Sequence, residues 1–420
     1  MGLCDALGGC GADGGGVTLM AAYFAVTAAY WAFMLTDGAL RMLVLLHFHE
    51  LGYSPVTLAY LFVLYEIAGV VTNLAAGWIA ARFGLNSTLY AGLALQIVAL
   101  VALAQVGVSS IALIMIVQGL SGVAKDLAKM SSKSAVKVLA PDGDGSLFRW
   151  VAVLTGSKNA VKGLGFLLGA VLLGWLGFNA SLYAMALGLG VILLLVAVWM
   201  PDGMPRGMKG VKFGEVISRN RNINWLSLSR VFLFGARDVW FVVGIPIYFY
   251  AVLSDGTAAG NRAAFFMIGT FMAVWTILYG AVQAYAPKIL RRENHVRAAA
   301  RWAGFLVIIP AVLAIAATQD PAPWLTVTLI AGLMVFGALF AVNSALHSYL
   351  ILAFAGAGRV TMDVGFYYMA NAAGRLLGTL ASGLSYQIGG LPACLGTAAV
   401  FLAISALTAT KLTESARSTV

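Results

Sequence analysis

Basic residues repeat at every fourth position along one segment of the sequence. The segment GVAKDLAKMSSKSAVKV (122–138) holds four lysines, which are Lys125, Lys129, Lys133 and Lys137. Residues four apart lie on one face of an α-helix, and the residues before this segment are almost wholly apolar. A row of lysines at the end of an apolar helix can be a solvated stalk, an anchor for lipid headgroups, or a binding surface for an anion.

Other ionisable residues lie inside apolar stretches, where a charge near the centre of a bilayer costs several kcal/mol. Lys158 is about ten residues into such a stretch, roughly 15 Å deep at 1.5 Å per residue. The bases in this position are Arg41, Lys125, Lys158, Lys162, Arg230, Arg237 and Arg375, and the acids are Asp37, Glu66, Asp126 and Asp238. About three cations therefore lack an obvious partner, and because unpaired buried cations are costly, we expect a polyanionic ligand.

The expected substrate-binding residues are these seven cations together with Lys129 and Asn159. Lys158 and Arg237 are the strongest candidates for direct contact with an oxyanion, since arginine binds phosphate or arsenate through two hydrogen bonds and lysine acts as a point charge. We expect Lys125 and Lys129 at the cytoplasmic mouth of an anion pathway. Lys133 and Lys137 lie beyond the apolar run, so we expect them to be solvated or to face lipid headgroups.

The acids allow two interpretations. Asp37 with Arg41, four residues apart, and Asp126 with Lys129, three apart, can form self-neutralising structural pairs. Alternatively, one of the acids Asp37, Glu66, Asp126 and Asp238 carries a proton during transport. Asp37 is the first candidate because a carboxylate one turn from Arg41 can alternate between pairing and protonation, and Glu66 is the second.

The composition indicates a membrane protein. Of the 420 residues, 61% are hydrophobic and 10% are charged, and the mean hydropathy is +0.92. Soluble domains carry about 25% charged residues. Apolar runs of about 20 residues recur along the chain, as a membrane-spanning helix requires, and the 48 glycines allow helices to approach closely in lipid. The fold class predicted is therefore an all-α polytopic membrane protein.

Several classes of function find no support in the sequence. Cys4, Cys10 and Cys394 form no cluster with metal-ligand spacing. The sequence contains no nucleophile–base pair that would suggest an enzyme, and it contains no P-loop that would suggest direct use of ATP. The longest loop, 201–222, is too short for the soluble output domain of a sensor. We expect no metal, no cofactor, no catalytic residue and no nucleic-acid partner.

Twelve spans fit the apolar pattern. We place them at 20–47, 55–81, 87–106, 109–128, 148–174, 179–200, 223–251, 263–286, 299–318, 324–353, 361–387 and 391–411. The connections after even-numbered spans hold nearly all loop lysines and arginines, whereas the opposite loops offer only Arg262. The positive-inside rule then predicts that both termini are cytoplasmic.

The spans divide into two groups of six around a long basic loop. We expect a disordered Gly-rich tail over 1–19, with no basic stretch of the kind that begins a signal peptide. We then expect a six-helix bundle over 20–200, a cytoplasmic linker over 201–222, a second six-helix bundle over 223–411 and a cytoplasmic tail over 412–420.

The two halves contain weakly similar sequence segments. NLAAGWIAAR (73–82) aligns with QAYAPKILRR (283–292), and NAVKGLG (159–165) resembles NAAGRLLG (371–378) at nearly the same offset. Twelve spans in a 6+6 duplication resemble the major facilitator superfamily, whose halves enclose a central cavity near the middle of the membrane. GWIAARFG (77–84) also resembles the loop signature of that superfamily, although alanine stands at position 81 where aspartate is usual.

Longer charged stretches carry a closer resemblance. The stretches are YWAFMLTDGALRMLVLLHFHELGYSP (30–55), GLSGVAKDLAKMSSKSAVKVL (119–139), LTGSKNAVKGLGFLLG (154–169) and INWLSLSRVFLFGARDVWFVVGIPIY (223–248). They are similar to the ArsJ-type organoarsenical efflux permeases, and the resemblance covers about residues 20 to 410.

The resemblance implies export of 1-arseno-3-phosphoglycerate across a bacterial inner membrane, and hence arsenate resistance. In that family a glyceraldehyde-3-phosphate dehydrogenase makes this ester from arsenate, so the resemblance implies a functional link to that enzyme. Organophosphate transporters of the superfamily place one arginine on span 1 and one on span 7, where Arg41 and Arg237 lie here. We expect a monomer whose partners are a small anionic substrate and the lipid bilayer.

Other functions stay open at this point. The same cations suit an exchanger of organophosphates or sugar phosphates. A lipid scramblase or a sensor is a further alternative from another class. The sequence leaves the energy source open between proton antiport and the substrate gradient itself.

Overall fold

A computed structural model describes residues 14–83, 85–106, 110–139, 146–199, 218, 220–290, 294–355 and 360–413. Within these residues the secondary structure is helical, as the long apolar runs predict, because in lipid each backbone N–H and C=O needs a partner within its own segment. The side chains of some residues inside these ranges, Lys133 and Lys137 among them, lie outside the description.

The first half of the chain contains α1 to α7. These are α1 (Gly14–Glu50), α2 (Pro55–Tyr60), α3 (Val63–Phe83), α4 (Leu85–Val106), α5 (Ile111–Leu139), α6 (Ser146–Leu176) and α7 (Phe178–Trp199). The second half contains α8 (Arg221–Val239), a π-helical turn (Trp240–Gly244), α9 (Ile245–Leu253), α10 (Ala258–Ile289), α11 (His295–Ala316), α12 (Pro323–Phe354) and α13 (Val360–Ala409). Ser54 and Thr257 cap the N-termini of α2 and α10 with their side-chain oxygens.

Eleven helical segments in the described part are long and apolar enough to cross a membrane. The last of them runs over 47 residues, Asp363–Ala409, or about 70 Å at 1.5 Å per residue, which is more than twice the hydrocarbon thickness of about 30 Å. Gly389 and Gly390 interrupt it with non-helical backbone angles. Gly390 has φ 63° and ψ −153°, a combination essentially restricted to glycine, so α13 consists of two helical parts that meet at this pair.

The helix boundaries differ from the expected ones at a few points. α1 begins at Gly14, inside the expected tail 1–19, since adding residues to an existing helix is much easier than starting one. Residues 1–13 lie outside the described residues, as do 201–217 of the expected linker and 414–420 of the expected tail. α5 continues beyond its apolar part to Leu139, so the backbone of the lysine row is helical throughout.

Glycines bring the first helix of each half against the fifth span of the same half. A Cβ added to Gly38 of α1 would lie 2.6 Å from the carbonyl oxygen of Lys162 on α6. In the second half, a Cβ added to Gly378 of α13 would lie 2.5 Å from the carbonyl oxygen of Gly235 on α8. Small residues allow such close backbone approach between helices in lipid. A similar close contact between helices thus occurs in each half, and it involves Lys162 of the segment 159–165 and Gly378 of the segment 371–378.

One set of contacts between the halves lies at the end of the bundle where α1 and α9 end. The amide of Asn261 donates to a Glu50 carboxylate oxygen at 3.0 Å, and the rings of His49 and Tyr250 meet edge to face with 5.0 Å between centroids. Gly383 of α13 lies against the backbone of α2 at Pro55. These contacts join the halves beyond the charged central region.

Candidate functional site

A cavity of about 220 Å³ lies between the halves, and basic side chains dominate its wall. Eight cations from α1, α5, α6, α8 and α13 line it: Arg41, Lys125, Lys129, Lys158, Lys162, Arg230, Arg237 and Arg375. Asn159 lines it as well. The structure therefore brings together at one cavity all nine residues that the sequence suggests as substrate ligands, although their contact with substrate stays a prediction.

Each of the four membrane acids forms an ion pair with one or more of these cations. Asp37, Glu66, Asp126 and Asp238 are all buried. When all twelve groups are ionised, the eight cations exceed the four carboxylates by four positive charges. The imbalance is slightly larger than the sequence suggests, because Lys129 lines the cavity too.

Glu66 of α3 joins two arginines from different halves. One carboxylate oxygen lies 2.6 Å from Nη2 of Arg41 on α1, and the other lies 2.9 Å from Nη2 of Arg375 on α13. The Glu66 side chain is fully buried. A single carboxylate therefore ties the N-terminal half to the C-terminal half at the level of the cavity.

Asp37 pairs with Lys162 and not with Arg41, so the expected intrahelical pair Asp37–Arg41 is wrong. Lys162 Nζ lies 2.6 Å from one oxygen of Asp37, and the hydroxyl of Tyr65 donates to the other at 2.5 Å. The close contact of α1 and α6 at Gly38 explains the change, because it places Lys162 beside Asp37. Arg41 extends instead toward Glu66.

Asp126 and Lys129 form the local pair that their spacing on α5 suggests. Lys129 Nζ lies 3.0 Å from Asp126 Oδ1 and also donates to Asn73 Oδ1 at 2.6 Å. The Thr72 hydroxyl donates to the other Asp126 oxygen at 2.6 Å. This carboxylate is held by a network that links α3 to α5.

Arg237 and Asp238 are neighbours in sequence and pair with each other. Nη2 and Nε of Arg237 lie 2.5 Å and 2.6 Å from Asp238 Oδ1. The Arg237 guanidinium lies among the rings of Phe234, Phe241 and Phe340, 5.0–5.8 Å from their centroids. Arg41 and Arg237, the arginines in the positions used by organophosphate transporters, are therefore both bound to carboxylates in this state.

Lys125 and Arg230 form no ion pair with a carboxylate in the described part of the chain. The Lys125 ammonium has no hydrogen-bond partner there and lies 4.0 Å from the centroid of the Tyr65 ring. Arg230 donates to two neutral acceptors, Asn371 Oδ1 at 3.0 Å and the Ser344 carbonyl at 3.1 Å.

Neutral polar groups lie at and around the cavity, and of those described here the sequence analysis had named only Asn159. Asn159 on α6 donates to Gln283 on α10 at 3.3 Å, which makes a further polar link across the halves. Tyr65 contacts Asp37, Arg41 and Lys125. Its position beside Glu66 in the sequence gives no signal of this role, whereas Asn371 at least lies in the repeated motif.

A set of buried polar side chains lies on α12, in the C-terminal half. Asn343 and His347, one turn apart, are fully buried, and their side-chain nitrogens and the Asn343 oxygen find no hydrogen-bond partner among the described residues. The adjacent Ser344 hydroxyl lies 3.3 Å from the hydroxyl of Tyr279, which lines the cavity. Nothing in the sequence analysis singled out these two residues.

Among the described residues, no three His, Cys, Asp or Glu side chains gather closely enough to hold a metal ion. Cys394 is buried in α13, where its thiol contacts the Ser382 carbonyl at 3.5 Å. The chemistry on offer at the cavity is therefore that of ammonium, guanidinium, amide and hydroxyl donors, which together suit an oxyanion.

Comparisons with known proteins identify the fold. A sequence profile of the Major Facilitator Superfamily matches residues 19–362. No curated protein matches the sequence. A crystal structure of a mutant of the nucleoside transporter NupG superposes with a TM-score of 0.70 at 16% identity, covering 93% of this chain and 98% of that one. A structure from work on substrate recognition in proton dependent oligopeptide transporters gives a TM-score of 0.69 at 13% identity, with 93% and 98% covered. At these identities the two likenesses concern the fold alone.

Proposed function

The chain belongs to the major facilitator superfamily, and we propose that it is a secondary transporter that exports an organic polyanion. The excess of four positive charges at the central cavity is the observation that carries this proposal. An excess of buried positive charge is costly, so a bound anion is the natural means of neutralising it. The protein acts as a carrier and not as an enzyme.

The proposed cargo is 1-arseno-3-phosphoglycerate, as in the ArsJ-type permeases that the sequence resembles. A phosphoryl group carries about −1.5 to −2 charge near neutral pH, and an arsenate ester is chemically similar. A molecule with both groups therefore carries about the charge that the eight cations leave uncompensated. Pentavalent oxyanions are bound by arginine and lysine donors of the kind that line this cavity.

We propose the topology of the superfamily for this chain. The break at Gly389–Gly390 divides the last apolar segment, which supports twelve spans in two bundles of six, 20–200 and 223–411. The repeated contacts at Gly38 and Gly378 support the 6+6 arrangement. The basic loops support cytoplasmic termini, and the proposed location is the bacterial inner membrane, with a monomer as the working unit.

Transport follows from alternating exposure of the cavity to the two sides of the membrane. An anion that enters from the cytoplasm meets cations from both halves and lowers the repulsion between them. The halves can then close behind it and open on the other side. The energy source is either proton antiport, with Asp37 the first candidate and Glu66, Asp126 and Asp238 the others, or the gradient of the anion itself.

Arsenic accumulation in cells tests the proposed cargo. Cells that express this protein together with a glyceraldehyde-3-phosphate dehydrogenase should resist arsenate and accumulate less arsenic than cells that express either protein alone. A matched strain carries the Arg230→Gln variant at equal expression, and it should lose the protection because the cavity cation is removed. Equal protection by the transporter without the dehydrogenase would refute the arseno-ester as cargo.

An exchanger of organophosphates or sugar phosphates is the second candidate. The cavity cations favour it equally, because phosphate and arsenate groups have the same charge and shape. In membrane vesicles, exchange of glycerol phosphates or sugar phosphates without any change in arsenate resistance would support this function. A lipid scramblase or a sensor would show neither activity.

A further inference from the structure

The cations of the cavity are not equivalent in their partners. Five of them contact a carboxylate: Arg41, Lys129, Lys162, Arg237 and Arg375. Lys125 and Arg230 are buried at the same cavity and contact none within the described residues. Lys158, the eighth cation, has an interaction partner as well. A ligand's negative charge can therefore pair with Lys125 and Arg230 without displacing an ion pair of the protein.

Lys125 is held by an aromatic ring and by nothing that accepts its protons. Its side chain is 5% exposed, its Nζ lies 4.0 Å from the Tyr65 ring centroid, and no acceptor in the described part of the chain reaches it. An ammonium group has three N–H donors. The Tyr65 ring attracts the charge and leaves the donors available, and Tyr65 is itself fixed by its hydrogen bond to Asp37.

Arg230 is oriented by neutral groups that leave its charge intact. Asn371 and the Ser344 carbonyl accept from Nε and Nη1, and the Phe234 ring lies 3.9 Å from the guanidinium carbon. A guanidinium has five N–H donors, so three remain for a ligand. A rigid, partly satisfied arginine of this kind suits recognition of a carboxylate, phosphate or arsenate group.

The two residues belong to different halves, Lys125 to α5 and Arg230 to α8. The charge excess is also shared equally between the halves. The N-terminal half contributes five of the cavity cations and three of the paired carboxylates, and the C-terminal half contributes three cations and one carboxylate. Among these twelve groups, each wall thus has two more cations than carboxylates when all of them are ionised.

We propose that Lys125 and Arg230 are the two anchors of the transported molecule, and that this molecule carries one anionic group at each end. One end binds the Lys125 wall and the other binds the Arg230 wall. A molecule with a single anionic end neutralises one wall and leaves the other cation buried and unpaired. The selectivity of the carrier then rests on the second anionic group. This inference depends on the proposed function only in taking the cavity as the substrate site.

Binding of two stable phosphates to the purified protein tests the proposal. 3-Phosphoglycerate has a phosphate and a carboxylate at opposite ends, and glycerol 3-phosphate has the same phosphate with a neutral hydroxymethyl group in place of the carboxylate. In titration calorimetry of the wild-type protein we expect 3-phosphoglycerate to bind at least about tenfold more tightly. Equal affinities would overturn the proposal, and this comparison needs no variant.

Two variants and a control assign the ends. Lys125→Gln and Arg230→Gln should each lower the affinity for 3-phosphoglycerate by at least about tenfold, and only the variant that faces the phosphate should also weaken glycerol 3-phosphate. Lys288→Gln, an exposed position on α10, should bind both probes like wild type. Gel filtration and thermal unfolding establish that each variant is folded. Unchanged binding of 3-phosphoglycerate to folded Lys125→Gln or Arg230→Gln overturns the assignment.

The outcome separates this proposal from the choice of cargo. Selective binding of 3-phosphoglycerate in a protein that gives no arsenate resistance would contradict the arseno-ester and leave the two anchors standing. Arsenate resistance combined with equal binding of the two probes would contradict the anchors and leave the cargo standing.

Discussion

Glu66 offers the clearest test of the charge network, because one buried carboxylate holds arginines from both halves. In Glu66→Gln the shape of the side chain stays nearly the same and the charge is lost. Arg41 and Arg375, which lie 2.6 Å and 2.9 Å from the carboxylate oxygens, then share a neutral amide. We expect this variant to be folded and less stable than wild type.

The size of the effect follows from the burial of the group. Removing one partner of a buried ion pair typically costs about 3–5 kcal/mol, because the remaining charge stays desolvated. Domains of 150–250 residues, the size of one half, change their melting temperature by about 2–4 °C per kcal/mol. Glu66→Gln should therefore melt roughly 6–20 °C below wild type. Arg41→Gln and Arg375→Gln should each give a smaller decrease, since Glu66 keeps one arginine.

Thermal unfolding of the detergent-purified protein, followed by intrinsic fluorescence, measures these differences. The matched control is Asp320→Asn, which removes an exposed carboxylate from the loop between α11 and α12 and should leave the melting temperature within about 1 °C of wild type. A Glu66→Gln protein that melts like wild type would refute the inter-half tie. So would equal decreases for Glu66→Gln and Asp320→Asn.

Three further variants probe other parts of the site. Arg237→Lys should lower the transport rate by about tenfold, equivalent to about 1.4 kcal/mol, at unchanged expression, because lysine cannot reproduce the two guanidinium contacts to Asp238. A normal transport rate would show that transport does not need these two contacts. Asp37→Asn in proteoliposomes loaded with 3-phosphoglycerate should abolish the response of transport to an imposed pH gradient if Asp37 carries the proton, and a surviving response moves that role to Glu66 or elsewhere. Gly378→Ala should lower the melting temperature, because its Cβ would lie 2.5 Å from a backbone oxygen of α8, whereas Gly396→Ala in the same helix, with nothing within 4 Å, should preserve or raise it.

The helices were predictable because lipid leaves the backbone few alternatives. A run of about 20 apolar residues can satisfy its own N–H and C=O groups only as a helix. The order of the spans therefore follows from the positions of the apolar runs along the sequence. The end of α1 and the division at Gly389–Gly390 lie close to the expected limits of their spans. The start of α1 at Gly14 was not predictable, because glycines have little helix preference.

The charged residues that line the cavity were predictable as a set, whereas of their pairs only Asp126–Lys129 was. Burial of a charge is costly wherever it happens, so ionisable residues in apolar runs identify the cavity without any knowledge of packing. Helical spacing then shows which residues share a face and says nothing of the helix opposite. Asp37 pairs with Lys162, 125 positions away, and not with Arg41 one turn along. Neutral residues such as Tyr65 carry no burial signal, so they were missed.

The equal charge on the two walls assigns Glu66 a part in transport as well as in stability. Among the twelve charged groups at the cavity, each wall has two more cations than carboxylates, so the empty halves should repel one another across the cavity. The Glu66–Arg375 contact crosses between the halves and supplies negative charge where a bound anion would otherwise supply it. If the protein is the proposed carrier, we expect it to close without cargo only with the help of Glu66, and to close with cargo without that help.

This difference separates net export from exchange. In proteoliposomes loaded with 3-phosphoglycerate, net efflux requires the empty carrier to return, and exchange against external 3-phosphoglycerate does not. Glu66→Gln should therefore lose net efflux by at least about tenfold, or about 1.4 kcal/mol in the barrier for return of the empty carrier, while exchange continues at close to the wild-type rate. Asp320→Asn should leave both rates unchanged. Equal losses of net efflux and exchange in folded Glu66→Gln would mean that the carboxylate serves the loaded carrier as much as the empty one, and the role as a substitute for the anion would be wrong.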